Sequence, residues 1–301
     1  MKLQGMFAQA ATPFDHTGAI YRTKVQHNFA KWRRTSLSGF IVGSLAGEGP
    51  LLEDAEKVEL IRLAAASVGE APGSAENPVT LIGDISQEGV HGAVALAKAM
   101  QQAGAQAVIS RAPHEYRYLP NAAAFPALYF RALADQSPLP LVIHNAPIVT
   151  EIDLSASEIA KLSHHPNIVG VLESGTPVSR VQEIRALAGK DFSVLAGTES
   201  QVWESLRAGA SGAALAFASA APYATIAIWE AFRTREEEAG VDWQGRIAHP
   251  SILVTEMHGA PGLKHAMDLN GYYGGPPRLP FAPVGDVLKR EIDDAFRDLK
   301  G

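Results

Sequence analysis

The feature that most constrains this chain is a regular alternation of short apolar runs with longer, helix-like stretches. Eight runs have the length of a β-strand, and most of them are apolar at successive positions rather than at every second one. Strands of this kind are covered on both faces, as in parallel sheets flanked by helices. The eight runs are Phe7–Ala11, Gly39–Gly43, Val79–Gly83, Ala107–Ser110, Leu139–His144, Ile168–Leu172, Ser193–Ala196 and Gly212–Ala216.

This alternation predicts a chain of right-handed βαβ units and therefore a parallel sheet. Eight such units close into a barrel more readily than they fill an open sheet, and 301 residues suit one such domain. We therefore expect an α/β fold, a (β/α)8 TIM barrel, over residues 1–221. Residues 222–301 are expected to form a C-terminal helical extension packed on the barrel, within one structural domain.

Several helices can be placed from local signals. The segment Glu53–Val68 has an apolar stripe at helical spacing, and Gln87–Ala103 ends at Gly104, a suitable residue for a helix C-terminus. Ser155 and Glu158 have the spacing of a capping box. A polar loop is expected at Glu70–Pro78, on the face of the barrel away from the chemistry. The extension is expected to contain four helices around a loop at Gly271–Pro283, namely Pro222–Glu238, Ile247–Met257, Leu263–Asn270 and Val284–Leu299.

Composition excludes several classes of function. The net charge is −6 and the pI is near 5.9, which argues against nucleic acid or an anionic membrane as a partner. The chain has no cysteine, which excludes disulfides, thiolate nucleophiles and Cys-ligated zinc. The charge-free run Ala208–Trp229 contains glycine, serine and proline, so we interpret it as a strand followed by a helix start rather than a membrane span. We expect a cytoplasmic protein.

In a barrel of this kind the active site is built from residues at the carboxyl ends of the strands. These ends carry polar and ionisable side chains on nearly every strand. They are Thr12, Glu48, Asp84, Arg111, His114, Glu115, His144, Asn145, Glu173, Ser174, Thr198 and Glu199, with Phe217 after the last strand.

Five segments resemble the dihydrodipicolinate synthase/N-acetylneuraminate lyase superfamily of aldolases. Residues 11–14 read ATPF, 43–48 read GSLAGE, 139–147 read LPLVIHNAP, 167–174 read NIVGVLES and 209–213 read GASGA. They occur in the family's order and at its spacing, and with the C-terminal helices the resemblance covers essentially the whole chain. It implies the barrel fold, a lyase activity on small oxo acids, and a homo-oligomer, either a tetramer or a dimer.

The central departure from the family is Leu172. Family members form a Schiff base between a 2-oxo acid and a lysine at the end of the sixth strand, and Leu172 occupies that position here. A Schiff base needs an amine, which leucine lacks. Lys264 in the extension has no strand-end placement, so we do not expect a substitute lysine. We predict that the imine chemistry of the family is absent from this chain.

Other functional positions have changed as well. His144 stands where the family has a tyrosine that relays protons, and Leu45 and Ala46 replace two hydroxyl residues. Val149 replaces an arginine found in synthases. These residues, with Leu172 and Phe217, predict a more apolar site that suits a bulkier or less polar ligand; the alternative is a filled core without a ligand. Glu48 matches a family residue that is mainly structural.

His144 is the predicted acid–base residue because imidazole titrates near neutrality, and the alternative is a buried histidine held by hydrogen bonds. Arg111 is predicted to anchor a substrate carboxylate, or else to be a surface arginine. His114, Asn145 and Glu173 are predicted to position the substrate. Two histidines and several carboxylates at one mouth raise the question of a divalent metal, but no short ligand motif supports one. We predict no metal and no cofactor.

The sequence therefore favours a divergent carbon–carbon lyase or hydro-lyase that acts without a lysine imine on a small oxo-acid-like or more apolar carbonyl substrate. The alternative is a ligand-binding or regulatory protein that kept the barrel and lost aldolase activity. Both hypotheses predict a small-molecule ligand at the mouth.

Overall fold

A computed structural model describes residues 1–69, 79–175 and 177–299 of the chain. Eight parallel strands close into a barrel in sequential order, which confirms the predicted (β/α)8 fold. The strands are β1 (Gly5–Ala10), β2 (Gly39–Val42), β3 (Thr80–Asp84), β4 (Ala107–Arg111), β5 (Leu141–Asn145), β6 (Ile168–Glu173), β7 (Ser193–Ala196) and β8 (Gly212–Leu215). Each overlaps its predicted run, with no end displaced by more than two residues.

Helices follow the strands and form the outer layer. They are α1 (Arg22–Trp32), α2 (Asp54–Gly69), α3 (Val90–Ala103), α4 (Phe125–Gln136), α5 (Pro147–Thr150), α6 (Ala156–Leu162), α7 (Ser179–Leu187) and α8 (Val202–Arg207). Ser155 and Glu158 form both hydrogen bonds of the predicted capping box, and Gly104 ends α3 in the left-handed conformation. The predicted loop Glu70–Pro78 lies outside the described residues.

The barrel interior is filled by apolar side chains from every strand. Phe7, Ile41, Ile82, Val142 and Leu195 belong to this buried cluster, together with Leu3, Ala107, Ile109, Leu172 and Ala214. Successive residues of a strand point to opposite faces, so the residue two positions further toward the carboxyl end also faces inward. The barrel axis is therefore packed, and polar side chains such as His144 and Ser174 face inward at its carboxyl-terminal mouth.

The C-terminal extension differs from the prediction in two places. The helix predicted as Pro222–Glu238 is two helices, α9 (Pro222–Thr234) and α10 (Glu237–Ser251). Arg235 has a φ of 64°, and this left-handed residue ends α9. The segment predicted as Ile247–Met257 is the end of α10, which continues into a π-helix at Ile252–Met257.

The last two helices are α11 (Gly259–Leu269) and α12 (Asp286–Ala295), and the chain between them is a loop, as predicted. A buried ion pair fixes this part of the extension to the barrel. Lys264 Nζ on α11 lies 2.5 Å from Glu48 Oε1, after β2, and donates to the Pro276 carbonyl at 2.9 Å. Glu48 Oε2 accepts the backbone N–H of Arg278 at 2.7 Å. Glu48 thus holds the loop after β2 against the extension.

The charge-free run Ala208–Trp229 divides into β8 and the start of α9, as predicted. Within the described ranges, no helix is long and apolar enough to cross a bilayer.

Candidate functional site

A cavity of about 390 Å³ opens at the carboxyl ends of the strands, where the fold places active sites. Barrel loops supply one side of its wall and the C-terminal extension supplies the other. The lining residues are Gln9, Leu45, Ala46, His144, Ala146, Ile148, Val149, Ser174, Gly197, Glu199, Ala216, Thr255, Glu256, Gly259, Ala260, Leu263 and Phe281. Most of these are apolar, and the polar groups come from β1, β5, β6 and β7 and from the π-helix of the extension.

His144 and Ser174 form a hydrogen-bonded pair in this wall. The distance between His144 Nε2 and Ser174 Oγ is 3.2 Å. His144 is the fourth residue of β5 and points inward with Val142, whereas Ser174 directly follows β6 and shares the inward face of Leu172. His144 is buried and Ser174 is half-buried, so the hydroxyl is the more accessible end of the pair.

The surroundings of His144 keep its imidazole neutral. Burial lowers the pKa of His144 to about 4, and the nearby positive charge of Arg111 acts in the same direction, against the opposing effect of Asp84. A neutral imidazole has one acceptor nitrogen, and in the Nδ1–H tautomer Nε2 accepts the Ser174 hydroxyl. The pair therefore has the arrangement of a base with an attached hydroxyl at neutral pH.

Gly197 at the end of β7 provides the space that Ser174 occupies. A Cβ placed on Gly197 would lie 2.2 Å from Ser174 Oγ and 3.0 Å from Leu172 Cδ1. Any larger residue at position 197 would therefore displace the hydroxyl from His144. This requirement could not be predicted from the sequence, because Gly197 belongs to none of the segments that resemble the family.

Three residues that the resemblance singled out lie at the mouth or directly beneath it. Leu45 and Ala46 are half-buried and line the cavity. Leu172 is completely buried in the apolar barrel interior beneath Gly197. Lys264 is paired with Glu48 and does not line the cavity. In the part of the chain that the structure describes, no lysine lines this wall.

Asn145 and Glu173 lie outside the cavity, although both stand at strand ends. Each follows an inward-facing residue by one position and so points outward, into the helix layer. Asn145 Nδ2 donates to both Glu173 oxygens at 3.0 and 3.1 Å and to Asp153 at 3.0 Å. Arg180 contacts Asp153 at 3.1 Å and Glu173 at 3.5 Å. This network joins β5 and β6 to the following segments.

Phe217 also lies away from the cavity. It is completely buried, and its ring packs against Phe296 from the extension with 5.4 Å between centroids. Val149, where the resemblance places an arginine of synthases, does line the cavity.

Arg111 and His114 line a second, smaller cavity of about 160 Å³ beside the first. Arg111 is the last residue of β4 and pairs in register with His144 on β5. Its buried Nε and Nη1 atoms have no hydrogen-bond partner, and among the described residues its guanidinium forms no ion pair. An unpaired buried guanidinium is energetically costly, so this cation is available to an anionic ligand.

His114 belongs to a group that has the composition of a metal site. Its Nδ1 lies 3.1 Å from Glu88 Oε1, and the ligand atoms of Glu88, His114 and Glu115 lie within 4.8 Å of one another. Glu88 Oε2 also accepts the backbone N–H groups of His114 and Glu115 at 2.9 and 3.0 Å. Both glutamates are exposed, and these bonds already account for the arrangement as an anchor for the loop after β4.

Glu199 is one of the polar residues at the strand ends but is not among the predicted site residues. It is buried in the cavity wall after β7, and its Oε1 accepts the backbone N–H of Ala216 at 3.0 Å. Burial raises the pKa of Glu199 to about 7, only partly opposed by backbone hydrogen bonds. Ser174 was also passed over, although its position two residues after Leu172 places it on the same face.

A larger groove of about 730 Å³ lies beside the mouth, between the loops that follow β4 and β5. It is open and polar, and its charged groups are already paired. Arg117 contacts Glu151 through two hydrogen bonds of 2.9 and 3.1 Å, Asp153 contacts Arg180, and Glu158 caps α6. Because no unsatisfied group faces this groove among the described residues, we place the functional site in the cavity at the mouth.

The fold and the site define a class of protein, a (β/α)8 barrel with a cavity at the carboxyl ends of its strands. The family model for the dihydrodipicolinate synthetase family matches residues 2–298. The chain therefore belongs to the dihydrodipicolinate synthetase family, which confirms the superfamily suggested by its motifs.

Curated relatives are similar over nearly their whole length. The 4-hydroxy-tetrahydrodipicolinate synthase of Xanthomonas campestris is 30% identical over 301 residues, which cover 97% of this chain and 93% of the relative. The enzyme of that name from Exiguobacterium is 26% identical, with 97% and 96% covered. The crystal structure of a dihydrodipicolinate synthase from Bacillus anthracis superimposes with a TM-score of 0.91 at 22% identity, covering both chains completely.

Proposed function

We propose that this protein is a lyase that acts on a small carbonyl substrate without a lysine imine. Membership of the family supports a lyase, and the single observation that carries the proposed mechanism is the His144–Ser174 pair facing the cavity. A neutral His144 accepts the Ser174 proton while the Ser174 oxygen accepts a proton from the substrate. Bond cleavage or elimination then proceeds through an enol rather than an enamine.

The walls of the cavity define the substrate class. Leu45, Ala46, Ala260 and Leu263 favour an apolar group on the substrate beyond the reacting carbonyl. Arg111 has unpaired N–H groups that fit a carboxylate, as in an oxo acid. We assign Asn145 and Glu173 to positioning β5 and β6, not to binding, and we give Phe217 a packing role.

The imine question is tested by incubating the protein with pyruvate and sodium borohydride and measuring the intact mass. We expect no adduct, because Leu172 has no amine and Lys264 is held by Glu48. A trapped adduct on the wild-type protein would overturn the proposal. Leu172→Lys is the matched control: an adduct on this variant alone would show that a 2-oxo acid still enters the mouth.

Turnover is tested with a panel of 2-oxo acids and 4-hydroxy-2-oxo acids whose side chains range from polar to apolar. We expect His144→Ala to abolish any cleavage or dehydration found. An unchanged rate in this variant would remove His144 from the mechanism.

A ligand-binding protein without turnover is the second candidate, and the apolar character of the cavity favours it. In that case the same panel gives saturable binding by calorimetry and no product with the wild-type protein. Under this hypothesis His144→Ala changes affinity alone.

The resemblance also leads us to propose a homo-oligomer, a tetramer or a dimer, located in the cytoplasm. Light scattering coupled to gel filtration measures the assembly directly.

A further inference from the structure

The buried carboxyl of Glu199 lines the same cavity as the His144–Ser174 pair. Glu199 follows β7 and contacts the backbone after β8, whereas the pair belongs to β5 and β6. A molecule in the cavity therefore has access to both a basic pair and a buried carboxyl. The proposed mechanism uses only the pair.

The surroundings of Glu199 differ from those of the other buried glutamates. Glu48 contacts Lys264, and Glu173 contacts Arg180 and Asn145. In the described part of the chain Glu199 forms no ion pair; the only charged side chain that influences it is Glu256, a second carboxylate on the same cavity. Only backbone N–H groups stabilise a negative charge here among the described residues, so burial raises the pKa of Glu199 and favours its protonated form.

Resting on the proposed function, we infer that Glu199 is the proton donor of the site and protonates the substrate carbonyl oxygen while the His144–Ser174 pair removes a proton from the adjacent carbon. The C–H electron pair becomes the carbon–carbon double bond, and the carbonyl π electrons take up the Glu199 proton. The products are a neutral enol, an imidazolium at His144 and a carboxylate at Glu199. The reverse step restores both groups.

The order of protonation supports this assignment. In water a carboxyl loses its proton before an imidazolium does, but burial reverses this order here, with a pKa of about 7 for Glu199 and about 4 for His144. Between these values the base is free and the acid is protonated, which is the combination that the step requires. A site that only bound a ligand would not need this reversal.

A purely structural role makes a different prediction. Glu199 Oε1 accepts the N–H of Ala216, and a glutamine oxygen would accept the same bond. Glu199→Gln therefore keeps the structural contact and removes the acid. Glu204→Gln on α8 is the matched control, because it makes the same chemical change at an exposed position of the same βα unit.

The test measures exchange of the C3 hydrogens of pyruvate and of 2-oxobutanoate for deuterium by proton NMR in D2O, from pD 5 to pD 9. We expect wild-type protein and Glu204→Gln to catalyse exchange that declines above neutrality. Glu199→Gln should be roughly 100-fold slower and should lose that decline. If Glu199→Gln kept the wild-type exchange rate and pD profile, Glu199 would not be the proton donor, and the proposed function would still stand.

Absence of exchange from the wild-type protein with both probes would instead overturn the proposed function, and the Glu199 assignment with it. Infrared difference spectra between pH 6 and pH 8 give a readout independent of turnover. We expect a protonated carboxyl band that disappears at pH 8 and is missing in Glu199→Gln. Absence at pH 6 of any protonated carboxyl band that depends on Glu199 would show that Glu199 is already ionised there and would exclude it as the donor.

Discussion

Buried charged side chains differ in their ion pairing between the region behind the barrel mouth and the mouth itself. Behind the mouth, Glu48 is paired with Lys264, and Glu173 is held by Asn145 and Arg180. Inside the mouth, Arg111 and Glu199 form no ion pair with any described residue. The two regions are close together within one fold, so we attribute the difference in ion pairing to their different roles.

Paired charges fix the position of loops, and removing either partner leaves the other without compensation. Unpaired buried groups reduce stability and persist where a ligand or a reaction uses them. The comparison therefore separates residues that stabilise the fold from residues of the site. Substitutions behind the mouth should lower the free energy of unfolding. Substitutions inside it should reduce activity, with smaller, or even favourable, effects on stability.

The largest expected effect comes from Lys264→Met. Removing the ammonium leaves Glu48 buried without its counter-ion, and we expect a loss of about 3–5 kcal/mol in the free energy of unfolding, measured with urea. The double variant Glu48→Gln, Lys264→Met should recover much of that loss, because no charge then remains buried. If the single and double variants were equally unstable, charge pairing would not be the reason for the contact.

Glu199→Gln should change the pH dependence of stability. A carboxyl whose folded pKa is raised stabilises the folded state fully below its unfolded pKa, and this contribution is lost as the pH rises through the folded value. From 4.5 to about 7, the loss amounts to about 3 kcal/mol. The free energy of unfolding of Glu199→Gln relative to the wild type, measured with urea, should therefore rise by roughly that amount between pH 5 and pH 8.

A constant difference between Glu199→Gln and the wild type at both pH values would contradict the raised pKa. Glu204→Gln, which removes an exposed carboxyl, serves as the control and should show little change between the two conditions.

Gly197→Ala should affect the site more than the fold. Its Cβ would lie 2.2 Å from Ser174 Oγ, so the hydroxyl must move away from His144. We expect a stability loss of about 1–2 kcal/mol from overpacking and a loss of turnover or exchange comparable to Ser174→Ala. Retention of full activity would show that the His144–Ser174 contact is not used. Gly245→Ala, where an added Cβ meets nothing within 4 Å, is the control.

The sequence predicted the architecture well because eight apolar runs and their spacing are properties of local segments. The same local signals could not show that Arg235 ends α9, since residues 234–238 read as continuous helix. Asn145 and Glu173 were placed in the binding site because both stand at strand ends, but a one-residue step along a strand turns the side chain outward.

The site itself was only partly predictable. His144, Leu45 and Ala46 were found because they depart from family motifs, and they line the cavity. Glu199 could be identified as a strand-end carboxyl, but its raised pKa depends on burial and on the absence of a cation among the surrounding described residues. Those are properties of the packed structure, to which the extension contributes through Thr255 and Glu256.

Arg111→Met gives the smallest expected effect and has the opposite sign from Lys264→Met. The buried guanidinium lacks partners at Nε and Nη1, so replacing it with an apolar side chain of similar length relieves a desolvation cost. We expect a gain of about 1 kcal/mol in the free energy of unfolding, together with loss of carboxylate binding measured by calorimetry with 2-oxobutanoate. If Arg111→Met were less stable than the wild type, Arg111 would stabilise the fold as Glu48 and Lys264 do. The difference between the two regions would then not hold at this residue.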